Sequence, residues 1–435
     1  MTREPVGPVK RFAVVGGGMS GLAAAFHLEW AGHQVEVIES DAALGGRCGV
    51  GVLGDRPIML GGKNIGRRYR ELREFLAANG ASAYEPFGIN SSQVIGGKLV
   101  TLDNPGIAGL VRHLVRSGSR TDAVKMLYFG ARVRFDERNR YLGSTSFART
   151  AAAEDRVPLA AHFTPEFAGH VLRPITLRLN AAEPEEVFLG TFGVGLGMVM
   201  DRYDQLVDGI QPILDRIASR VLVRLRTRVD RIVCRDGRVI GLEISENDGS
   251  TTRFEYDGVV LATPAHAARL VVDHELPALG KLLADVTYFP STVAVVQYDR
   301  PLFTGTVRSI AFDSGPCSAA GVYGINDLDI VRYTFSGRAA RPQPDERQLA
   351  AWIDSAESRV RELLGTGPVA KLRTVTRSWP EAHCAYVPDH GEFLAKVREQ
   401  ADSIVGLELA GDYLLGAQLE ACYRSGVAAA TRLAG

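Results

Sequence analysis

The chain has 435 residues, 46% hydrophobic and 23% charged, with Lys+Arg and Asp+Glu both at 50. That length exceeds what one hydrophobic core usually supports, so two domains are expected, and the balanced charge gives no electrostatic reason to expect nucleic acid as a partner. Five scattered cysteines (Cys48, Cys234, Cys317, Cys384, Cys422) form no C-x-x-C pair and nine histidines no H-E-x-x-H, which points to a reducing cytoplasm and to no metal.

The opening "MTREPVGPVK" has no apolar h-region, so no signal peptide is expected. Residues 12–15 are a short apolar run ending in glycines, 21–31 are apolar and alanine-rich, and 35–39 read as a second strand. This is the order of a βαβ unit. Gly16-x-Gly18-x-x-Gly21 lies between the first strand and the helix. The first glycine makes the tight turn, the second lets the backbone approach a pyrophosphate, and the third lets the helix pack on the strand. The helix N-terminus then faces the phosphate charge, and Glu39, at the end of the second strand, accepts from the adenosine ribose hydroxyls. NAD and FAD satisfy this pattern equally.

Residues 109–142 carry apolar residues at helical spacing interleaved with Arg and Lys. They read as solvated arginines on a helical domain, with a surface for lipid or an anionic substrate as the alternative. The apolar run 187–200 is too short and glycine-rich for a membrane span, which needs about 20 residues. From 221 to 267 apolar and polar residues alternate, with turns at Arg235-Asp236-Gly237 and Asp248-Gly249, as in a β-meander followed by a buried strand at 259–262. Residues 403–435 read as strand, glycine turn and helix.

These three blocks assemble into one α/β nucleotide-binding domain (10–66, 215–270 and 390–435), with a discontinuous second α+β domain (67–214 and 271–389) holding the substrate. The first is Rossmann-like, of the glutathione-reductase type with G-x-G-x-x-G.

Glu39 is followed after five residues by Gly45-Gly46-Arg47. This resembles the E-x5-G-G-R signature of the flavoprotein superfamily that contains monoamine oxidases, protoporphyrinogen oxidases and phytoene desaturases. The resemblance implies that the two glycines let a loop close over FAD and that Arg47 sits by its pyrophosphate. "MLGGKNIGRRYRELREFLAANGA", with Gly61 and Gly62, is similar to the segment that runs past the flavin ring. "VDRIVCRDGRVIGLEI" is similar to the strand whose Val229 presents its backbone to the adenine. "LELAGDYLLGAQLEACYRSGVAAA" resembles the C-terminal flavin motif: Gly411 and Asp412 near the ribityl and pyrophosphate groups, and a helix beginning near Gln418 and Leu419 aimed at the pyrimidine end of the ring. A plain turn or N-cap aspartate is the alternative for Asp412.

Amine oxidases of the superfamily usually carry a lysine facing flavin N5; the corresponding stretch here, "VTYFPSTVAVVQYDRPLF", has Pro290, Ser291 and Thr292 instead. Met59 stands where the family commonly has an aspartate, which leaves Lys63 and Asn64 as the polar groups expected near the ring. Lys63 either orients a carboxylate or acts as a base, or else reaches cofactor phosphate or solvent. "RSWPEAHCAYVPDHGEF" resembles the segment leading back to the FAD domain, so Trp379 and Tyr386 wall the cavity and His383 transfers a proton, or all three are core. No cysteine lies between Asp389 and Gly411, so FAD is expected to be non-covalent.

The resemblance implies oxidation, by desaturation, of a small-molecule substrate on the apolar side, with a hydride passing from a C–H bond to flavin N5 and O2 or a quinone as acceptor. An amine or amino-acid oxidase making an imine and peroxide, a flavin-dependent isomerase with no net redox change, and a non-catalytic FAD-bound scaffold are the alternatives. A cytoplasmic location is expected, with peripheral contact at the inner membrane face left open.

Overall fold

The computed structural model describes residues 8–87, 92–101, 106–245 and 250–435; the expected turn at Asp248-Gly249 lies outside them. The first 38 residues supply two strands of a five-stranded parallel sheet in the order Leu222–Arg224, Gln34–Ile38, Arg11–Val15, Gly258–Leu261, Leu407–Leu409. A parallel sheet is buried on both faces, and its strands here are largely apolar on both, with a buried Glu36 in Gln34–Ile38. Phe12, Val14, Val37 and Val260 pack against Ala24, Ala25 and Leu28 of the helix Met19–Trp30 and against Ala429, Ala430 and Leu433 of the helix Leu419–Ala434. On the opposite face Ala13, Val15, Val259 and Leu261 pack against Val229, Ile232 and Leu242 of the meander.

The meander is the antiparallel set Arg228–Arg235, Arg238–Ser245 and Thr251–Glu255. Leu222–Arg224, which alternation alone places with it, instead extends the edge of the parallel sheet beside Gln34–Ile38. Arg224 anchors it there, donating to Glu36 at 3.0 Å. Alternation reports which face is buried but not which neighbour a strand takes. The helix Gln211–Ala218 runs across residue 215, and its Ile213, Leu214 and Ile217 share a core with Leu22 and Phe26.

A seven-stranded sheet runs Lys371–Tyr386, Thr287–Tyr298, Ile330–Phe335, Cys317–Val322, Ser309–Ala311, Gln93–Ile95, Lys98–Val100. Strand residues alternate between faces. Ala294, Val296, Val331 and Tyr333 meet Ile353, Ala356 and Val360 of the helix Glu346–Leu364. Val293 and Val295 face the other way, onto Leu53, Ile58 and Leu60 around the hairpin Val50–Leu53/Arg56–Met59, with Trp379 at the margin. That second face turns towards the glycine loops.

Helices at Gly106–Arg116, Arg120–Phe135, Thr145–Ala151, Arg173–Asn180 and Leu189–Val199 fill the region between residues 106 and 199. The apolar run 187–200 becomes Leu189–Val199, a buried helix. Among the described residues no helix is long and apolar enough to cross a membrane. The strand Tyr203–Leu206 pairs with both Ile65–Gly66 and Tyr84–Phe87, tying this region to the segment after Gly62.

Candidate active site

The strand Arg11–Val15 breaks at Gly16, whose φ is +103°, and the helix follows at Met19. A Cβ on Gly16 would lie 2.8 Å from Ala262 O, and one on Gly21 would lie 1.8 Å from Gly16 O, so neither position accepts a side chain. Gly18 is the N-cap; no side chain caps the helix, and the space beside Gly18 Cα is open. First-turn N–H groups left without side-chain partners next to open space form an anion cradle. Glu39 fixes the turn: its Oε2 accepts from Gly17 N–H at 2.6 Å, and its Oε1 accepts from Asp41 N–H at 2.8 Å and Ser40 O–H at 3.2 Å. Oε2 keeps capacity for a second donor.

The second glycine cluster lies on the first. Gly45, at φ +105°, donates its N–H to Gly17 O at 2.8 Å, and Gly46 passes over Gly18 Cα. Beyond it Arg47 crosses the cleft: its guanidinium donates to Asp412 Oδ2 at 2.7 Å and to Ala382 O at 3.2 Å. Tyr288 donates its O–H to Asp412 Oδ1 at 2.8 Å. Burial opposes the Arg47 charge, but Asp412 more than offsets it and holds the guanidinium firmly cationic, while burial and the Asp412 charge push the Tyr288 phenol well above its ordinary range. Arg47 O in turn accepts from Gly62 N–H at 3.0 Å, and Gly62 rests against Leu419.

Gln418 is the N-cap of Leu419–Ala434, but its side chain turns away and donates to Val194 O at 2.9 Å, so this helix too starts with no side-chain cap. Gly411 N–H is held by Ser425 Oγ at 3.0 Å. Val229 is buried beside Val15 and Ile38, with a register shift between it and Arg231. Two uncapped helix starts, an open glycine cradle, a guanidinium and a carboxylate at the end of a strand fit a dinucleotide.

The residues expected to carry chemistry divide. Lys63 is almost fully buried and donates to Gln205 Oε1 at 2.5 Å and Tyr323 O at 2.6 Å; burial, then the nearby Arg332, hold its pKa well below the ordinary lysine range. It is shut off from bulk solvent and cross-links the loop to the sheet through Gln205, Glu85 and Arg56. Asn64 Oδ1 is buried with no hydrogen-bond partner. Trp379 is half-buried and its ring covers Gly49. His383 donates Nδ1–H to Leu179 O at 3.0 Å, and burial pushes its pKa down to about 4. It is therefore neutral at neutral pH and cannot serve as an imidazolium acid. Tyr386 sits in the core, its phenol oxygen accepting from Ala417 N–H at 3.0 Å, so it fixes the turn before the C-terminal helix rather than walling an open cavity. Sequence reasoning did not find Tyr288, which reaches Asp412, or Arg332, which donates to Leu60 O at 2.8 Å and Gly61 O at 3.2 Å.

The profile of the flavin-containing amine oxidoreductase family matches residues 19–434. The chain belongs to that family. It is 24% identical to a coproporphyrinogen III oxidase of Mycobacterium leprae over 452 residues, covering 95% of this chain and 96% of the relative. Over a shorter stretch of 83 residues, 19% of this chain and 16% of the relative, it is 39% identical to an L-amino-acid oxidase of Sistrurus catenatus edwardsii. Its fold matches the structure of a cyclohexylamine oxidase from Brevibacterium oxydans with a TM-score of 0.73 at 18% identity, covering 98% and 99% of the two chains. The protein is thus an FAD-dependent oxidoreductase of the oxidase and dehydrogenase type, with a Rossmann-like FAD domain and a second domain, as its motifs imply.

Proposed function

We propose that the protein oxidises a small organic substrate by desaturation, losing a hydride from a C–H bond, with O2 or a quinone as final acceptor. The observation that carries this reading is the strand Thr287–Tyr298. It presents Ser291 and Thr292, both buried and hydrogen-bonded to neighbouring strands, where an amine oxidase would present a lysine. Lys63, the other lysine near the loop, is engaged with Gln205 and Tyr323. The relative that spans nearly the whole chain acts, by its name, on a porphyrinogen, which favours the same side of the family.

Residues 10–66, 215–270 and 390–435 form the FAD domain in this reading, and 67–214 and 271–389 the substrate domain. Bound FAD supplies the acceptor for the hydride. The amides at Gly18 and Met19 and the Arg47 guanidinium hold its pyrophosphate, Glu39 holds the ribose, and the start of Leu419–Ala434 places partial positive charge where a reduced ring is negative. Trp379 shields the loop at Gly49 from water. With His383 neutral and Lys63 tied down, the protein contributes position and exclusion of water rather than an acid and a base.

Burial pushes the Cys48 and Cys422 thiols up to about 12 and Cys384 well above the usual thiol range. Thiolates are scarce there, which supports a non-covalent cofactor. Acid precipitation of the holoprotein is expected to release all the yellow colour into the supernatant; colour in the pellet overturns the assignment.

Anaerobic mixing with candidate reductants tests the reaction. Bleaching of the flavin band by porphyrinogens or other apolar, conjugatable substrates, and not by amines, is expected. Bleaching by an amino acid, with ammonia and peroxide released in air, would establish the second reading, which the local match to an L-amino-acid oxidase favours. Conversion without bleaching would identify an isomerase.

A further inference from the structure

The helix Arg120–Phe135 is apolar on two faces, and the chain covers one of them. Its inner face is spent on the core: Ala123, Phe129 and Val133 are buried there, and the Phe129 ring meets those of Phe147 and Phe192. The opposite face carries Val124, Leu127, Tyr128, Ala131 and Phe135, spaced i, i+3, i+4, i+7 and i+11, which sets them in one stripe along the helix. All five are exposed. Phe135 is 86% exposed, more than any other large apolar side chain among the described residues, and Val124 is 66% exposed. Apolar side chains scattered singly over a surface need no explanation, but a continuous stripe on one helix marks a face that meets something.

The charges beside the stripe say what it meets. At about 100° per residue, Arg134 flanks it on one side and Lys125 and Arg132 on the other, with Arg120 at its N-terminal end. Exposed Arg112 and Arg116 on the neighbouring helix Gly106–Arg116 add the same sign. The one acid of the helix, Asp122, points inward: it is buried and accepts from Ser119 N–H at 2.9 Å and Thr164 O–H at 2.6 Å. The two acids that follow the helix are answered by arginines, Asp136 by Arg138 at 2.9 Å and Glu137 by Arg424 at 3.7 Å. The outer face of the helix therefore offers cations and no carboxylate. A second copy docked on it about a two-fold axis would set these cations against one another. Anionic headgroups answer them, and acyl chains cover the stripe.

We propose that this helix seats the protein on an anionic lipid surface. It lies in the plane of the interface, with Val124, Leu127, Tyr128 and Phe135 among the acyl chains and its cations at the lipid phosphates. Of the two roles open to residues 109–142, the lipid-facing one then belongs to this helix. The seat is one helix away from the site: Phe192, beneath Phe129, is part of Leu189–Val199, and Val194 of that helix accepts from Gln418 at the start of Leu419–Ala434. The proposal concerns the outside of the molecule and stands apart from the identity of the compound oxidised.

Purified protein is mixed with vesicles of phosphatidylcholine alone, or of phosphatidylcholine and phosphatidylglycerol in equal parts, and the bound fraction is read by co-sedimentation. Binding to the anionic vesicles alone is expected. Raising the ionic strength to about 1 M, where the Debye length is about 3 Å, should release most of it. Phe135→Ser should weaken partitioning about ten- to a hundredfold, the effect of keeping one phenylalanine out of an apolar medium. Arg134→Glu should also weaken it and flatten its salt dependence. Both side chains are exposed, so melting temperature and flavin content should match the wild type. If Phe135→Ser melts early, Val124→Ser, at the other end of the stripe, carries the same test. The proposal is overturned if anionic vesicles leave the protein in solution, if neutral vesicles bind it equally, or if the serine variant binds like the wild type. A concentration-dependent dimer that Phe135→Ser dissolves would also overturn it, by giving the face to a second copy.

Discussion

In the proposed reading Glu39 serves two structures at once, because the carboxylate that holds the Gly17 and Asp41 amides is also the one assigned to the ribose. Glu39→Ala is expected to reduce FAD per purified chain by about tenfold or more, since hydrogen bonds to a charged group are worth about 1.5–3 kcal/mol; full yellow colour in the variant would count against this placement. Lys63 makes the opposite case. Lys63→Met removes the donor from two buried acceptors, Gln205 Oε1 and Tyr323 O. It should cost about 1–3 kcal/mol of stability and leave turnover per bound flavin within roughly threefold. A large loss of turnover at unchanged melting temperature would make Lys63 a chemical group after all. At this scale the glycines were legible because the backbone dictates them: no other residue fits where a Cβ would sit 1.8 Å from a carbonyl oxygen. Tyr288 was not: it is a single polar residue in an apolar run, and only the fold shows that it meets Asp412.

Two elements point bare N-termini at the cleft, and neither Gly18 nor Gln418 caps the helix it begins. Gly18→Asp separates the cofactor's claim on such an end from the fold's. The backbone there is extended and the space beside it open, so the aspartate fits and caps the helix, leaving apoprotein stability unchanged or raised by well under about 1 kcal/mol. Its charge meets the pyrophosphate, so flavin retention should collapse. Equal loss of both, read by thermal melts of apoprotein and by flavin absorbance, would mean that the glycine is needed for packing alone. The βαβ unit could be read from the sequence because its periods change from strand to helix and back within 28 residues, Arg11 to Ile38. The edge strand Leu222–Arg224 could not, since three alternating residues look alike in a meander and beside a parallel neighbour.

For the molecule as a whole, acid should be the weak flank. Burial pushes both His383 and His390 down to about 4 from an ordinary 6.5, and His390 donates Nε2–H to Tyr413 O at 2.9 Å from deep in the core. In this range the unfolded chain binds the protons that the folded one refuses. The stability each neutral ring contributes is complete above pH 6.5 and is lost as pH falls towards 4. For His390 that amounts to up to about 3 kcal/mol, and for the more accessible His383 to less. Denaturant midpoints should fall across that window, and His390→Asn should flatten the slope; an identical slope in the variant would refute the assignment. The broad division into a nucleotide domain and a second sheet follows from hydrophobic pattern. The meeting of Gly61 with Arg332 and of Gly49 with Trp379 depends on long-range packing that no local window records.

The pairing of Arg47 with Asp412 also has a consequence in time. The glycine turns leave the ribosome long before Asp412 does, but the central strand Arg11–Val15 has no neighbour on one side until Gly258–Leu261 is made, and the cleft has no far wall until Asp412 and the helix Leu419–Ala434 appear. At about 5–20 residues per second that is a delay of tens of seconds, during which an apolar strand edge stands open and the cofactor has only half a seat. In the proposed reading FAD therefore waits until the helix Leu419–Ala434 has been made, and a chain cut short within that helix is left with the binding motif and no complete binding site.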